Sequence, residues 1–209
     1  MPIDFKKTQK ELHLPKITPS VVGVPPMVFI AIDGVGDPNT SAAYAAAVAT
    51  LYALSYAIKM GNKAILEYVV PPLEGFWTIE DDTFKGGGSP ILDKSKFAWT
   101  MLIRQPDFVS ETIFDNAKEV VVRKNPSLVA ELKNVRLISF VEGLCVQIMH
   151  IGAYDDEPAS IAKLDNYAVE NGYIIDISNT RRHHEIYLSD PRKIASEKLK
   201  TVIRHPIKL

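Results

Sequence analysis

One cysteine in 209 residues leaves Cys145 without an internal disulfide partner, which fits a reducing compartment and removes disulfides from any account of stability. Basic charge is scarce as well: 24 Lys and Arg stand against 25 Asp and Glu, for a net charge of −1. With no basic stripe to neutralise phosphates, no nucleic-acid partner is expected. No apolar stretch approaches the ~20 residues of a bilayer span, and the charged opening MPIDFKKTQKELHLPK has no apolar core behind it. Neither a membrane span nor a secretory leader is read, and a cytoplasmic location is expected. The glycine motifs are incomplete. Gly34 and Gly36 follow a strand but lack the third glycine of the dinucleotide fingerprint; Gly86-Gly87-Gly88 lacks the Lys-Ser/Thr of a phosphate loop and reads as a flexible connector, a candidate lid. No cofactor is indicated.

What remains is an ordinary globular composition, 46% hydrophobic and 23% charged, long enough to bury a core unaided. Residues 1–20 are polar and lysine-rich, broken by Pro15 and Pro19, and read as an arm. After Pro25-Pro26 comes the strand MVFIAID, then a turn. A helix from about Ala42 to Met60 follows, capped by Thr40 or Ser41 and ended by Gly61-Asn62, with Tyr44, Val48, Leu51, Tyr52 and Tyr56 along one face. ILEYVV, LEGFWTI and KFAWTMLIR read as strands, and a helix is expected from about Asp107 to Lys124, with SLVAELKN a further short helical piece.

From Val135 the plan recurs: strands VRLISF and LCVQIMHI, a helix from about Pro158 to Asn171, then strands HHEIYLS and KLKTVIR. The two closing strands resemble each other, with Thr100, Arg104 and Pro106 in one and Thr201, Arg204 and Pro206 in the other. The expected fold is therefore α+β: two pseudo-symmetric β-α-β-β modules forming a curved antiparallel sheet, with helices on one side and a ligand cleft between modules. Module one spans about 27–104, connecting helices about 107–134, and module two about 135–206, all within one domain over 21–209.

Strand alternation places Glu185 and Tyr187 on one face and His184 and Ile186 on the other. In the first half Glu74 and Phe76 share a face, and Trp77 lies opposite unless Gly75 makes a bulge. Two readings of Glu185 stay open: a solvated strand carboxylate, or the floor of an aromatic-walled cleft that holds a cation or acts as a general base. Trp77, Trp99, Phe97, Tyr44, Tyr52, Tyr56 and Tyr154 supply more rings than the elements carrying them need for a core, so some are expected to line a pocket. Trp77, Trp99, Tyr52, Tyr56, Tyr154, Tyr187 and Glu74 are the candidate ligand contacts. His183 and His184, adjacent on a strand, face opposite ways and cannot share an ion, so no metal site is expected. His150 reads as a hydrogen-bonded core histidine, Cys145 as a buried thiol, and Asp155-Asp156-Glu157 as an acidic helix start favoured by the dipole.

Several long segments, in order, resemble the GyrI-like small-molecule-binding family in its stand-alone bacterial branch: IDGVGDPN, LYALSYAIKM, PPLEGFW, WTMLIRQPDF, EGLCVQIMHIGAYDDEP, HHEIYLSDPRK and KLKTVIRHP. The resemblance runs from about Lys10 to Pro206. It implies two tandem β-α-β-β modules with a ligand cleft between them and a bulky lipophilic or cationic small-molecule ligand. Relatives fused to helix-turn-helix domains sense lipophilic cations, which meet a carboxylate at the position of Glu185. Some stand-alone members hydrolyse the cyclopropane of cyclopropanoid DNA-alkylating toxins with a pocket Glu and aromatic residues. Carried over by motif, Glu185 is the working carboxylate, with Trp77, Tyr154 and Tyr187 in or near the pocket. The alternatives are a non-catalytic multidrug-binding protein and an inhibitor module for a protein partner such as a topoisomerase.

Overall fold

The computed structural model describes residues 2–79 and 93–209. Two short helices, α1 (Phe5–Thr8) and α2 (Lys10–His13), precede β1 (Ser20–Val35) and α3 (Ala42–Gly61). Then come β2 (Leu73–Ile79), β3 (Phe97–Gln105), α4 (Glu111–Lys124), α5 (Val129–Leu132) and β4 (Arg136–Ile151). The chain closes with α6 (Glu157–Glu170), β5 (Ile174–Ile175), β6 (His183–Tyr187) and β7 (Lys200–Lys208). The strands pair antiparallel in the order β4-β1-β3-β2-β6-β7, and β4 pairs back onto β7 from Cys145↔Pro206 to Ile151↔Lys200. The expected curved sheet is thus closed: six strands form a barrel, with β5 added at the end of β7. Closure leaves none of the six as a free edge.

Local chemistry sets the helix ends. Ser41 caps α3 by accepting the Tyr44 N–H, Ser110 caps α4, which starts at Glu111 and so later than the expected Asp107, and Asn62 donates back to the Ile58 carbonyl at the end of α3. The prolines mislead more than they inform. β1 runs straight through Pro25-Pro26, which were expected to precede the strand. Both are exposed, and because β1 meets β3 only from Val28 onward, its side toward β3 has no partner there to miss an N–H. VRLISF and LCVQIMHI likewise fuse into β4. Inside the barrel the inward-facing sets are Val22, Val24, Met27 and Phe29 on β1 and Ile138, Phe140 and Cys145 on β4, so the inward parity switches on both strands at one level. There Gly143, paired with Val24, takes φ +75°, a conformation costly for a residue with a Cβ. ILEYVV is not a strand: it crosses from α3 to β2 with a single bridge, Ile3↔Tyr68. The loop containing Gly86-Gly87-Gly88 lies outside the described residues.

Two cores result. The outer face of β1 and β3 packs Ile30, Ile32, Met101 and Ile103 against Leu51, Leu54 and Ile58 of α3 and Phe114 and Val121 of α4. The outer face of β4 and β7 packs Val146, Ile148, Ile203 and Ile207 against Leu164 and Ala168 of α6. Each such side chain contributes about 1.5–3 kcal/mol on burial. The barrel interior is mixed. Phe29, Leu102, Phe76 and Cys145 surround Leu12 of the supposed arm. Beside them the Arg204 guanidinium donates to Glu142 Oε2 (2.9 Å), Gln147 Oε1 (3.0 Å) and the Leu12 carbonyl (2.7 Å). His184 lies between Glu142 (3.1 Å) and Glu74 (2.9 Å). Burial opposes a charged ring, but those carboxylates outweigh it and raise His184 to about 9; His184 and Arg204 in turn hold Glu142 down at about 2 despite its burial.

Candidate ligand-binding and active site

On β6, His183, Glu185 and Tyr187 point outward, while His184 and Ile186 point into the barrel. β2 pairs with β6 without a break from Leu73↔Tyr187 to Trp77↔His183, so Gly75 makes no bulge. Trp77 therefore shares the outer face with Glu185, and Phe76 turns inward against His184, ring centroids 4.6 Å apart. α3 packs over β1 and β3, and α6 over β4 and β7. Between these helices, β2 and β6 form the floor of a trough.

Rings wall that trough. Trp77 Nε1 donates to Tyr187 Oη at 2.8 Å, and Tyr187 Oη donates to Glu185 Oε2 at 2.6 Å. Tyr44 of α3 stacks on Trp77 at 6.2 Å, Trp99 meets Tyr44 edge-on at 5.3 Å, and Tyr154 meets Tyr187 edge-on at 5.8 Å. Gly75, paired with Glu185, makes this possible: a Cβ there would lie 2.7 Å from Trp77 Nε1 and 3.2 Å from Tyr187 Oη.

Glu185 has a second set of partners toward α6. His183 Nε2 donates to its Oε1 at 2.8 Å, and the carboxyl of Glu157, first residue of α6, reaches it within hydrogen-bonding distance. Burial would push Glu185 up, but hydrogen bonds from His183, Tyr187 and Glu157 outweigh it and hold the pKa below the usual range. Glu157 moves the other way. Only 6% exposed, with Oε1 unpartnered and the Glu185 charge adjacent, it is pushed well above the usual range and keeps its proton. Tyr154 is raised to about 12 by burial and by Glu157 and Glu185, so it too remains a donor.

The structure brings Glu185, Trp77, Tyr154 and Tyr187 together. Trp99 stands behind Tyr44, 2% exposed. Glu74, expected beside the ligand, faces the barrel interior and bonds His184, because its position on β2 has the parity opposite to Trp77. Tyr52 hydrogen-bonds the Leu73 backbone farther along α3, and Tyr56 beyond it is 52% exposed. Glu157 and His183 were not among the expected site residues, and Tyr44 was counted among the surplus rings without being a candidate ligand contact. The two-residue spacing of His183 and Glu185 on a strand was a usable signal for the histidine; Glu157 looked like a helix-start acid and gave none. His150 bonds Ser160 Oγ and the Ala153 carbonyl, bracing the turn that carries Tyr154. Two shallow hollows along α6, lined by Ala159 and Lys163, share no residue with the Glu185 cluster. Among the described residues, no group of three or more His, Cys, Asp and Glu is arranged to hold a metal ion, and no helix is long and apolar enough to cross a membrane.

The sequence profile of the GyrI-like small molecule binding domain matches residues 17–208, nearly the whole chain. The chain belongs to the GyrI-like small-molecule-binding family. This GyrI-like domain is similar to an uncharacterized conserved protein from Listeria innocua, with 41% identity and a TM-score of 0.90 over 99% of this chain and 100% of that one. It is also similar to a hydrolase from Listeria innocua, with 39% identity and a TM-score of 0.87 over 99% of this chain and 100% of that one. The C-terminal domain of EcmrR shares the fold alone, at 13% identity and a TM-score of 0.53 over 91% of this chain and 97% of that one. No curated protein matches the GyrI-like domain.

Proposed function

We propose that the trough binds bulky lipophilic molecules and that Glu185 activates water for addition to a strained electrophile of the cyclopropanoid class. The observation that carries this is the placement of the Glu185 and Glu157 carboxyls against one another among aromatic rings, in surroundings that lower Glu185 and raise Glu157. Two carboxyls whose environments drive their acidities apart are the arrangement of an acid–base pair. Glu185 takes a proton from water as the water oxygen bonds the strained carbon. The ring bond breaks, its electrons pass to the conjugated carbonyl, and a donor protonates the developing oxyanion. Tyr187 already spends its hydroxyl hydrogen on Glu185, and Glu157 its carboxyl hydrogen. Tyr154 is therefore the better donor. A positioned base is worth ~10² to 10⁴ in rate, enough where strain supplies the rest of the driving force.

The hydrolase similarity at 39% identity supports this reading, as does the strand order, in which β1-β3-β2 lies beside β6-β7-β4 in the manner of a duplicated unit with its site at the junction. The test is incubation of purified protein with a cyclopropanoid alkylator, followed by mass spectrometry. Addition of one water by the wild type and not by Glu185→Gln supports the reading. Stoichiometric binding with no added water would make the protein a sequestering one.

A further inference from the structure

Behind Glu185 the hydrogen bonds continue through the protein. Glu185 Oε1 meets His183 Nε2 at 2.8 Å, His183 Nδ1 meets His205 Nε2 at 2.7 Å, and His205 Nδ1 meets Asp165 Oδ1 of α6 at 2.6 Å. Each contact needs one hydrogen, three in all. Two neutral imidazoles bring only two. With two, one contact would set lone pair against lone pair at hydrogen-bond distance, and the rings cannot turn to water for relief: His183 is 2% and His205 0% exposed. The chain therefore requires one proton more than its neutral rings supply. Only its ends touch solvent, the Glu185 side chain at 13% and the Asp165 side chain at 17% exposure.

We propose that Asp165, His205 and His183 form a positioning chain that holds one shared proton behind Glu185, fixing its carboxylate as ionised and aimed into the ring-walled trough. Free imidazole is more basic than free carboxylate, ~6.5 against ~4, so the extra proton resides on the ring pair. His205 is its poorer seat, since burial and the adjacent His183 both push it down. The titratable groups facing the chain are Glu185 and Tyr187 from β6, Glu157 and Asp165 from α6, Tyr154 from the turn before α6 and Tyr44 from α3. Glu157, Tyr187, Tyr44 and Tyr154 are all raised and uncharged near neutrality, which leaves the two terminal carboxylates as the counter-charges for the shared proton.

Imidazole ¹⁵N spectra of the full-length protein, recorded between about pH 5 and 9, test this directly. Near neutrality, three of the four ring nitrogens of His183 and His205 are expected to be protonated, and one proton is lost in a single step as pH rises. In Asp165→Asn, which keeps the oxygen acceptor but removes its charge, that step is expected about 1 pH unit or more lower. Two protonated nitrogens throughout the range in the wild type, or an unmoved midpoint in Asp165→Asn, would overturn the proposal. Should Asp165→Asn not fold, the wild-type proton count decides alone. The inference refines the role of Glu185 under the proposed function, yet the spectra need no substrate. Failure of turnover with a shared proton present would sink the hydrolase reading and leave the chain standing.

Discussion

The carboxyls of Glu157 and Glu185 meet on the outer face of the barrel, one from the first turn of α6 and the other from the middle of β6, where burial and the Glu185 charge raise Glu157 well above the usual carboxylate range. Folding thus makes Glu157 bind a proton that the unfolded chain gives up near its usual value of 4.5. Where the folded form holds more protons than the unfolded form, stability falls with rising pH, by about 1.4 kcal/mol per unit for one group. Glu157→Gln removes that slope. The variant is expected to match the wild type near pH 4 and to exceed it by about 1–3 kcal/mol near pH 8, as read by denaturant unfolding at the two pH values. Equal stability at both would contradict a protonated Glu157.

Inside the barrel, His184 and Glu142 predict a second pH dependence. His184, raised to about 9 by Glu142 and Glu74 against its burial, stabilises fully below its free value of 6.5, and this contribution is lost as pH rises through about 9. The window is worth on the order of 3 kcal/mol. Glu142, held at about 2, contributes above its free value of 4.5 and loses the contribution as pH falls through about 2. Measured in the Glu157→Gln background to remove the first effect, unfolding free energy should fall as pH rises from about 7 toward 9. Glu142→Gln, which strands Arg204 and His184 without that charge, is expected to lose about 3–5 kcal/mol.

The shape of the floor depends on Gly75. Its substitution by Ala puts a Cβ 2.7 Å from Trp77 Nε1, which forces the indole away from the Tyr187 hydroxyl. Gly75→Ala is expected to cost about 1–3 kcal/mol, to change tryptophan fluorescence and to weaken thermal-shift responses to lipophilic ligands. Unchanged fluorescence and ligand response would show that Trp77 does not need this opening.

Period-two alternation made the outer trio of β6 and the opposed faces of Glu74 and Trp77 legible in the sequence, since burial on one side of a strand fixes which residues share a face. Other features were hidden for identifiable reasons. Pro25-Pro26 suggested a break, because whether a strand tolerates proline depends on its neighbours, and the absence of a β3 partner before Val28 is set by pairing far along the chain. Barrel closure by β4 and β7 is equally non-local. Arg204, Glu142 and His184 look like surface residues one at a time; only their mutual pairing permits burial. Glu157 was read through the helix dipole, which explains an acid at α6 but not its inward turn toward Glu185.

The central claim rests on the carboxylate of residue 185 as a base rather than a mere contact. Single-turnover rates of water addition to a cyclopropanoid substrate, measured for wild type and Glu185→Gln with both saturated, separate these roles. The account predicts a rate about 10² to 10⁴ lower in the variant with ligand affinity changed far less. Equal rates at saturation would contradict it.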